Sequence, residues 1–75
     1  MKVTPLDKHW QHLMSLCESE AKFRAEPGRH VRMLKLLSAD IERVASELGF
    51  GPRQIATRDF RAERDGDHIV RIISD

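Results

Sequence analysis

The side chains best suited to metal binding lie near the start of the chain. His9 and His12 are three residues apart, a spacing at which a helix can place two imidazoles on one ion. A site needs at least one further ligand, and His30 would lie about 20 Å from His12 in an antiparallel helical hairpin. Cys17 points to a different side of the same helix, on an apolar stripe that predicts a buried thiol. We therefore predict no metal site.

Motifs of catalysis are also absent from the sequence. It contains no glycine-rich phosphate loop, no Ser-His-Asp or Cys-His set at a plausible spacing, and no paired carboxylates that would face a pocket. A chain of 75 residues is also small for a fold that encloses a substrate. We predict a non-catalytic protein without a cofactor.

Length and composition indicate one small domain over residues 1–75. A core of this size gives only marginal stability by itself, and self-association is one of the usual supplements, so we expect a homodimer. Cys17 is the single cysteine, which excludes an intrachain disulfide. No apolar run has the length of a membrane span and the first residues show no secretion pattern, so we expect a cytoplasmic protein without a membrane partner. A net charge of +1 does not by itself indicate a polyanionic partner.

Apolar residues recur at helical spacing over two long segments. The first predicts a helix over 5–25, with Thr4 as N-cap and Asp7 in the first turn. The second predicts a helix over 29–48, capped at its C-terminus by Gly49. The stripes are Leu6, Trp10, Leu13, Met14, Cys17 and Ala21 in the first helix, and Leu34, Leu37, Ile41, Val44, Ala45 and Leu48 in the second. Two helices alone cannot cover both stripes, so a third element, a second copy, or both must complete the core.

The remainder of the chain predicts a short third helix and a C-terminal β-strand or small β-hairpin. The helix is expected over 52–60, with Ile55, Ala56 and Phe60 inward and with Arg53, Gln54, Thr57, Arg58 and Arg61 outward. The strand or β-hairpin is expected over 61–73, because Asp65-Gly66 is a strong signal for a two-residue turn. Such a turn would pair Arg64 with Asp67 and Glu63 with His68. Whether residues 60–64 form a strand or end the third helix stays open. The fold class is mainly α.

Several apolar residues exceed what one packing face needs. Leu16 and Phe23 lie about 120° from the main stripe of the first helix. Either Phe23 folds under the turn and Leu16 borders the core, or both form an intermolecular seam. Leu36 projects between Arg32 and Arg43, either as a bland surface residue or as a contact with another chain. The last strand, with Ile69 and Arg71, has an edge suited to pairing with a partner strand.

Residues 39–63, ADIERVASELGFGPRQIATRDFRAE, resemble a helix-turn-helix unit, and IATRDF is similar to the recognition-helix run of small winged-helix repressors. The resemblance implies that the second helix of the pair enters the major groove of DNA, with Asp65-Gly66 at the tip of the wing. The resemblance places four residues near bases or phosphates and two against the DNA backbone. The four are Arg53, Gln54, Thr57 and Arg58, and the two are Arg61 and Arg64.

Two functional hypotheses follow. The first is a small regulatory protein that binds a protein partner, as an adaptor, antagonist or inhibitor of a larger machine. Its predicted contact residues are Leu16, Phe23, Leu36, Ile69 and Arg71. The alternative is a helix-turn-helix transcriptional regulator that binds DNA. Homodimers are expected under both hypotheses.

Overall fold

Three helices and two strands follow one another along the chain. The computed structural model describes residues 4–26 and 28–74. The two long helices form a helical hairpin, which is followed by the short third helix and a two-stranded antiparallel sheet. The predicted mainly α fold with a C-terminal β-hairpin is confirmed. The elements are α1 (Pro5–Arg24), α2 (Val31–Leu48), α3 (Pro52–Thr57), β1 (Arg61–Asp65) and β2 (His68–Ile73).

The start of α1 and the end of α2 lie at residues that satisfy free backbone groups. Thr4 Oγ1 accepts a hydrogen bond from the Asp7 N–H at 3.1 Å, and the Asp7 carboxylate accepts one from the Thr4 N–H at 3.2 Å. This reciprocal capping box fixes the start of α1, as the Thr-Pro sequence predicts. α2 is capped at its C-terminus by Gly49, whose φ of 102° lies in the left-handed region that glycine adopts without steric strain.

The third helix is shorter than predicted. It ends at Thr57 instead of residue 60, because Arg58 takes a left-handed conformation with φ 58° and ψ 31°. The Asp59 N–H then bonds back to the Gln54 carbonyl at 2.9 Å, which closes the helix. The chain thereby turns early enough for Phe60 to pack against Phe50, with ring centroids 4.9 Å apart.

Residues 61–65 form a strand, which settles the question left open by the sequence. Asp65 pairs with His68 across Gly66-Asp67, and Gly66 has a φ of 63°. The predicted pairings of Arg64 with Asp67 and of Glu63 with His68 are both wrong, because Arg64 lies opposite Ile69 and Glu63 lies opposite Arg71. The register shifts between Glu63 and Arg64, where β2 carries one extra residue, Val70.

The core lies where the β-hairpin and the end of α2 meet the first half of α1. Trp10 packs against Phe50 with ring centroids 6.2 Å apart, and Ile69 of β2 is buried beside them. The third element required by the two apolar stripes is therefore the segment from Phe50 to β2. No helix in residues 4–26 and 28–74 has the length and apolar character needed to cross a membrane. The buried cluster comprises Trp10, Leu13, Ile41, Val44, Ala45, Phe50 and Ile69.

Candidate protein-binding surface

Large apolar side chains are exposed on α2 and on the β-hairpin. Leu36 has the greatest exposure, 58% of its surface, as the sequence predicts for a residue between two arginines. Met33 is 45% exposed and Val31 is 53% exposed, although neither was singled out from the sequence. On β2, the bulge residue Val70 is exposed to a similar extent.

Leu36 lies on the side of α2 away from its buried residues, and Met33 lies toward the border of that side. At about 100° per residue, Met33 lies about 60° from Leu36 around the helix, whereas the buried Ile41 lies about 140° away. We call this side the outer stripe of α2. It consists of Arg32, Met33, Leu36, Ala39, Asp40 and Arg43. Asp40 and Arg43 form a surface ion pair at 3.6 Å within the stripe.

Leu16 and Phe23 are half-buried within the chain and do not join the outer stripe. Leu16 packs against the core cluster. The Phe23 ring contacts the His30 ring edge-on, with centroids 4.7 Å apart, and the His30 Nε2 lies 3.1 Å from Glu26 Oε2. These positions match the alternative in which Phe23 folds under the turn and Leu16 borders the core.

The strand residues Ile69 and Arg71 lie in different surroundings. Ile69 is buried, and its N–H donates to Asp7 Oδ1 at 2.7 Å, so the prediction that it lies at a free strand edge is wrong. Arg71 is exposed and pairs with Glu63 on β1 at 2.7 Å. The Ile73 carbonyl accepts from Gln54 Nε2 at 2.8 Å. Side chains from α1 and α3 thus bond the backbone of β2 at both of its ends, which disfavours the addition of a partner strand there.

Asp7 connects the two ends of the fold, a role that sequence reasoning missed. Its carboxylate is 4% exposed and lies 2.9 Å from His68 Nδ1, in addition to its bonds with Thr4 and Ile69. The hydrogen bond from His68 holds the pKa of Asp7 well below its ordinary value, and the bond to Asp7 raises the pKa of His68. The available signal was the acidic residue at the third position of a capped helix, which indicates a local bond but gives no indication of a distant one.

Arg58 points into the protein and not toward the surface that the helix-turn-helix resemblance places against DNA. Its guanidinium binds Glu20 of α1 through two hydrogen bonds, at 3.1 and 3.0 Å, and a third reaches Ser38 of α2 at 3.1 Å. Glu20 is 3% exposed, and the hydrogen bond from Arg58 lowers the pKa of its carboxyl. Burial raises the pKa of the neighbouring half-buried Cys17 thiol. The prediction that Arg58 faces outward is therefore wrong, because the left-handed backbone turns its side chain toward α1 and α2.

Gln54 is likewise inward, contrary to the prediction. It is 1% exposed, its Oε1 accepts from the Gly51 N–H at 3.2 Å, and its Nε2 donates to the Ile73 carbonyl. A buried amide of this kind must satisfy both its donor and its acceptor, and the start of α3 and the end of β2 provide these partners. Gln54 therefore fastens the β-hairpin to α3.

The remaining residues of the helix-turn-helix resemblance are exposed but divided between two elements. Arg53 and Thr57 lie on α3, and the Thr57 hydroxyl donates to the Arg53 carbonyl at 2.9 Å. Arg61 and Arg64 lie on β1. Arg61 pairs with Asp59 at 3.3 Å, and the Arg64 guanidinium lies 5.9 Å from the centre of the Trp10 ring. The six predicted DNA contacts do not form one continuous surface.

Among the described residues, no group of three His, Cys, Asp or Glu side chains is arranged to hold a metal ion. A groove of about 460 Å³ runs between α1 and the β-hairpin, beside Trp10 and Arg64. Its polar side chains include Asp7, which is already bonded to His68 and Ile69.

The fold and its surface together define a small, mainly α protein with an apolar stripe left outside its core. Comparison of the chain with protein-family models, with curated proteins and with solved structures finds no match.

Proposed function

We propose that this protein is a small non-catalytic regulator that acts by binding a protein partner through the outer stripe of α2. The observation that carries the proposal is the exposure of Met33 and Leu36 side by side on one helix face. Single exposed leucines are common on protein surfaces. Neighbouring apolar residues at helical spacing, with charged residues around them, are typical of a helix that packs against a partner.

The internal packing of the fold supports this use of the stripe. The inward face of α2 already contacts α1, through Leu37, Ile41 and Val44. Phe50, α3 and the β-hairpin complete the core. Met33 and Leu36 therefore contribute little to folding, and their apolar surface is available to bind a partner. Through this surface the protein would act as an adaptor, antagonist or inhibitor of a larger assembly.

The DNA-binding alternative has less support from the contacts of α3. Gln54 and Arg58 are both used to hold α3 to the rest of the protein. Arg53 and Thr57 remain outward on a helix of six residues. If they bind DNA, Arg53→Ala should weaken binding to a mixed-sequence duplex and reduce its salt dependence. Unchanged binding would exclude that role for Arg53.

A cytoplasmic location and self-association belong to the same proposal. The outer stripe is the surface through which we expect copies to associate when no partner is present. Light scattering after size-exclusion chromatography should show a concentration-dependent mass for the wild type. A Leu36→Ser variant should remain monomeric at the same concentrations.

The principal test is affinity capture with two matched variants. Met33→Ser combined with Leu36→Ser removes the apolar part of the stripe, whereas Val70→Ser removes an equally exposed apolar residue from β2. The wild type and the Val70 variant should retain the same proteins from an extract of the cells that encode this chain, and the double variant should lose them. Circular dichroism should show equal helicity in all three. Equal capture by the double variant would contradict the proposed surface.

A further inference from the structure

Formal charge is distributed unevenly along the chain. Residues 21–36 contain five lysines and arginines and one acid, Glu26, which gives a formal charge of +4. The rest of the chain contains eight basic and eleven acidic residues, which gives −3 and accounts for the total of +1. We call the five cations at the turn between α1 and α2 the basic end. They are Lys22, Arg24, Arg29, Arg32 and Lys35.

Among the described residues, three of the five cations of the basic end lack an ion-pair partner, whereas Arg29 lies 3.9 Å from Glu26 Oε2. Within residues 4–26 and 28–74, Lys22, Arg32 and Lys35 make no ion pair. Arg24 lies 3.5 Å from Glu20, whose carboxylate is already bound by Arg58. By contrast, α2 neutralises Arg43 with Asp40 further along the same helix.

The basic end overlaps the outer stripe of α2. Arg32 lies one turn before Leu36 and about 40° from it around the helix. Lys35 flanks the stripe about 100° from Leu36. Met33 lies between the two cations in sequence, with almost half of its surface exposed. A partner segment that covers Met33 and Leu36 would therefore lie within reach of both positive charges.

We propose that the partner segment is an acidic amphipathic helix, with apolar residues on Met33 and Leu36 and carboxylates facing Arg32 and Lys35. This inference rests on the proposed function and specifies the chemistry of the partner. Complementary charge at the border of an apolar contact raises the association rate and excludes partners of like charge.

Two other polyanionic surfaces fit the structure less well. Contacts to DNA phosphates require cations but no exposed apolar residues between them. Anionic membranes favour helices that insert aromatic or leucine-rich faces. Trp10 is buried and Phe23 is half-buried against His30, so the described residues of the basic end present no exposed aromatic ring, and their large exposed apolar side chains are Val31, Met33 and Leu36.

The test uses a fluorescent amphipathic helical peptide, with leucines on one face and glutamates on the other. A second peptide carries lysine in place of every glutamate. Fluorescence anisotropy should show that the full-length protein binds the acidic peptide at least about tenfold more tightly than the lysine peptide, with affinity that falls as salt is added. Equal affinity for the two peptides would overturn the proposal.

Charge-reversal variants locate the site. Arg32→Glu with Lys35→Glu should weaken binding of the acidic peptide at least about tenfold. The control is Lys8→Glu with Arg53→Glu, two exposed cations outside the basic end that also lack ion pairs in the described residues. Both pairs of substitutions take the net charge from +1 to −3, so an equal loss of affinity in the control would show a non-specific charge effect and overturn the site.

Further arms separate this inference from the proposed function. Tighter binding of duplex DNA, or of phosphatidylcholine–phosphatidylserine vesicles, than of the acidic peptide would overturn the choice of an acidic protein segment. An affinity for the acidic peptide that depends on Arg32 but is unchanged by Leu36→Ser would also overturn that choice. If capture from extract still requires Leu36 while the acidic peptide fails to bind, the partner chemistry is wrong and the protein-binding function stands.

Discussion

Neutralising Glu20 should destabilise the fold more than any other change of one charge at the junction of the three helices. Glu20→Gln keeps the shape of the side chain but leaves the Arg58 guanidinium facing a neutral amide. The two side chains are 5% and 23% exposed. Removing one partner of a buried ion pair lowers the free energy of unfolding by about 3–5 kcal/mol. Because Arg58 would keep its bonds to Ser38 and the Ile55 carbonyl, we expect about 2–3 kcal/mol.

Urea and thermal unfolding, followed by far-ultraviolet circular dichroism, measure this loss. For a domain of this size, the thermal midpoint should fall by about 10–20 °C. Arg24→Ala is the matched control, since Arg24 also lies near Glu20 but its side chain is 66% exposed. We expect that control to change the free energy of unfolding by less than about 1 kcal/mol.

A double variant tests the physical reason. Glu20→Leu with Arg58→Met removes both charges, so no unpaired ion stays buried, and the double variant should be more stable than Glu20→Leu alone. The free energy of unfolding should be about 1 kcal/mol higher for the Arg58→Gly variant than for the Arg58→Ala variant, because the backbone at position 58 is left-handed. The reasoning would be refuted if Glu20→Gln lowered the free energy of unfolding no more than Arg24→Ala does. It would also be refuted if the effects of Glu20→Leu and Arg58→Met on that free energy were additive.

Three further predictions concern the bonds that hold the β-hairpin and the cap of α1. The raised pKa of His68 adds stability that is fully present below the ordinary histidine pKa and is lost as pH rises through the raised pKa. The lowered pKa of Asp7 adds stability that is lost only in strong acid. Thermal unfolding should therefore show a higher midpoint in mildly acidic than in alkaline buffer, and His68→Asn should abolish the difference. Gln54→Ala should lower the free energy of unfolding, measured by urea titration, by about 1–3 kcal/mol, because the Ile73 carbonyl and the Gly51 N–H lose their partner. The control is Thr57→Ala, a change at an exposed residue of the same helix, which should have little effect in that titration. Thr4→Ala should lower it by about 1 kcal/mol through loss of the N-cap, and an unchanged urea midpoint would contradict the capping role.

The sequence was most informative where structure depends on local periodicity and caps. Apolar spacing located both long helices, and Thr4 and Gly49 marked ends that the structure confirms. The Asp-Gly signal located the β-hairpin but not its register. The two-residue turn is Gly66-Asp67, one residue later than the predicted Asp65-Gly66, and the extra residue Val70 shifts the pairing by one further position from Glu63 onward.

The polar contacts between distant residues were not predictable in this way. Gln54 and Arg58 looked like ordinary outward residues of an arginine-rich helix. Their burial depends on partners 19 and 38 positions away, Ile73 and Glu20, which no helical pattern identifies. For the candidate site, periodicity located Leu36 on the polar side of α2. It could not show that Met33 remains uncovered, because that depends on where α3 and the β-hairpin pack.

The carboxylate of Asp7 has a consequence for the order in which the chain folds during synthesis. Its partner Ile69 lies 62 positions later, so a ribosome must complete almost the whole of this sequence before the contact forms. Until then, α1 has its N-cap but not its bond to the last strand, and Trp10 lacks the cover of Ile69. The nascent helical hairpin therefore exposes apolar surface for most of its synthesis, and stable folding is expected only after residue 69 has left the exit tunnel.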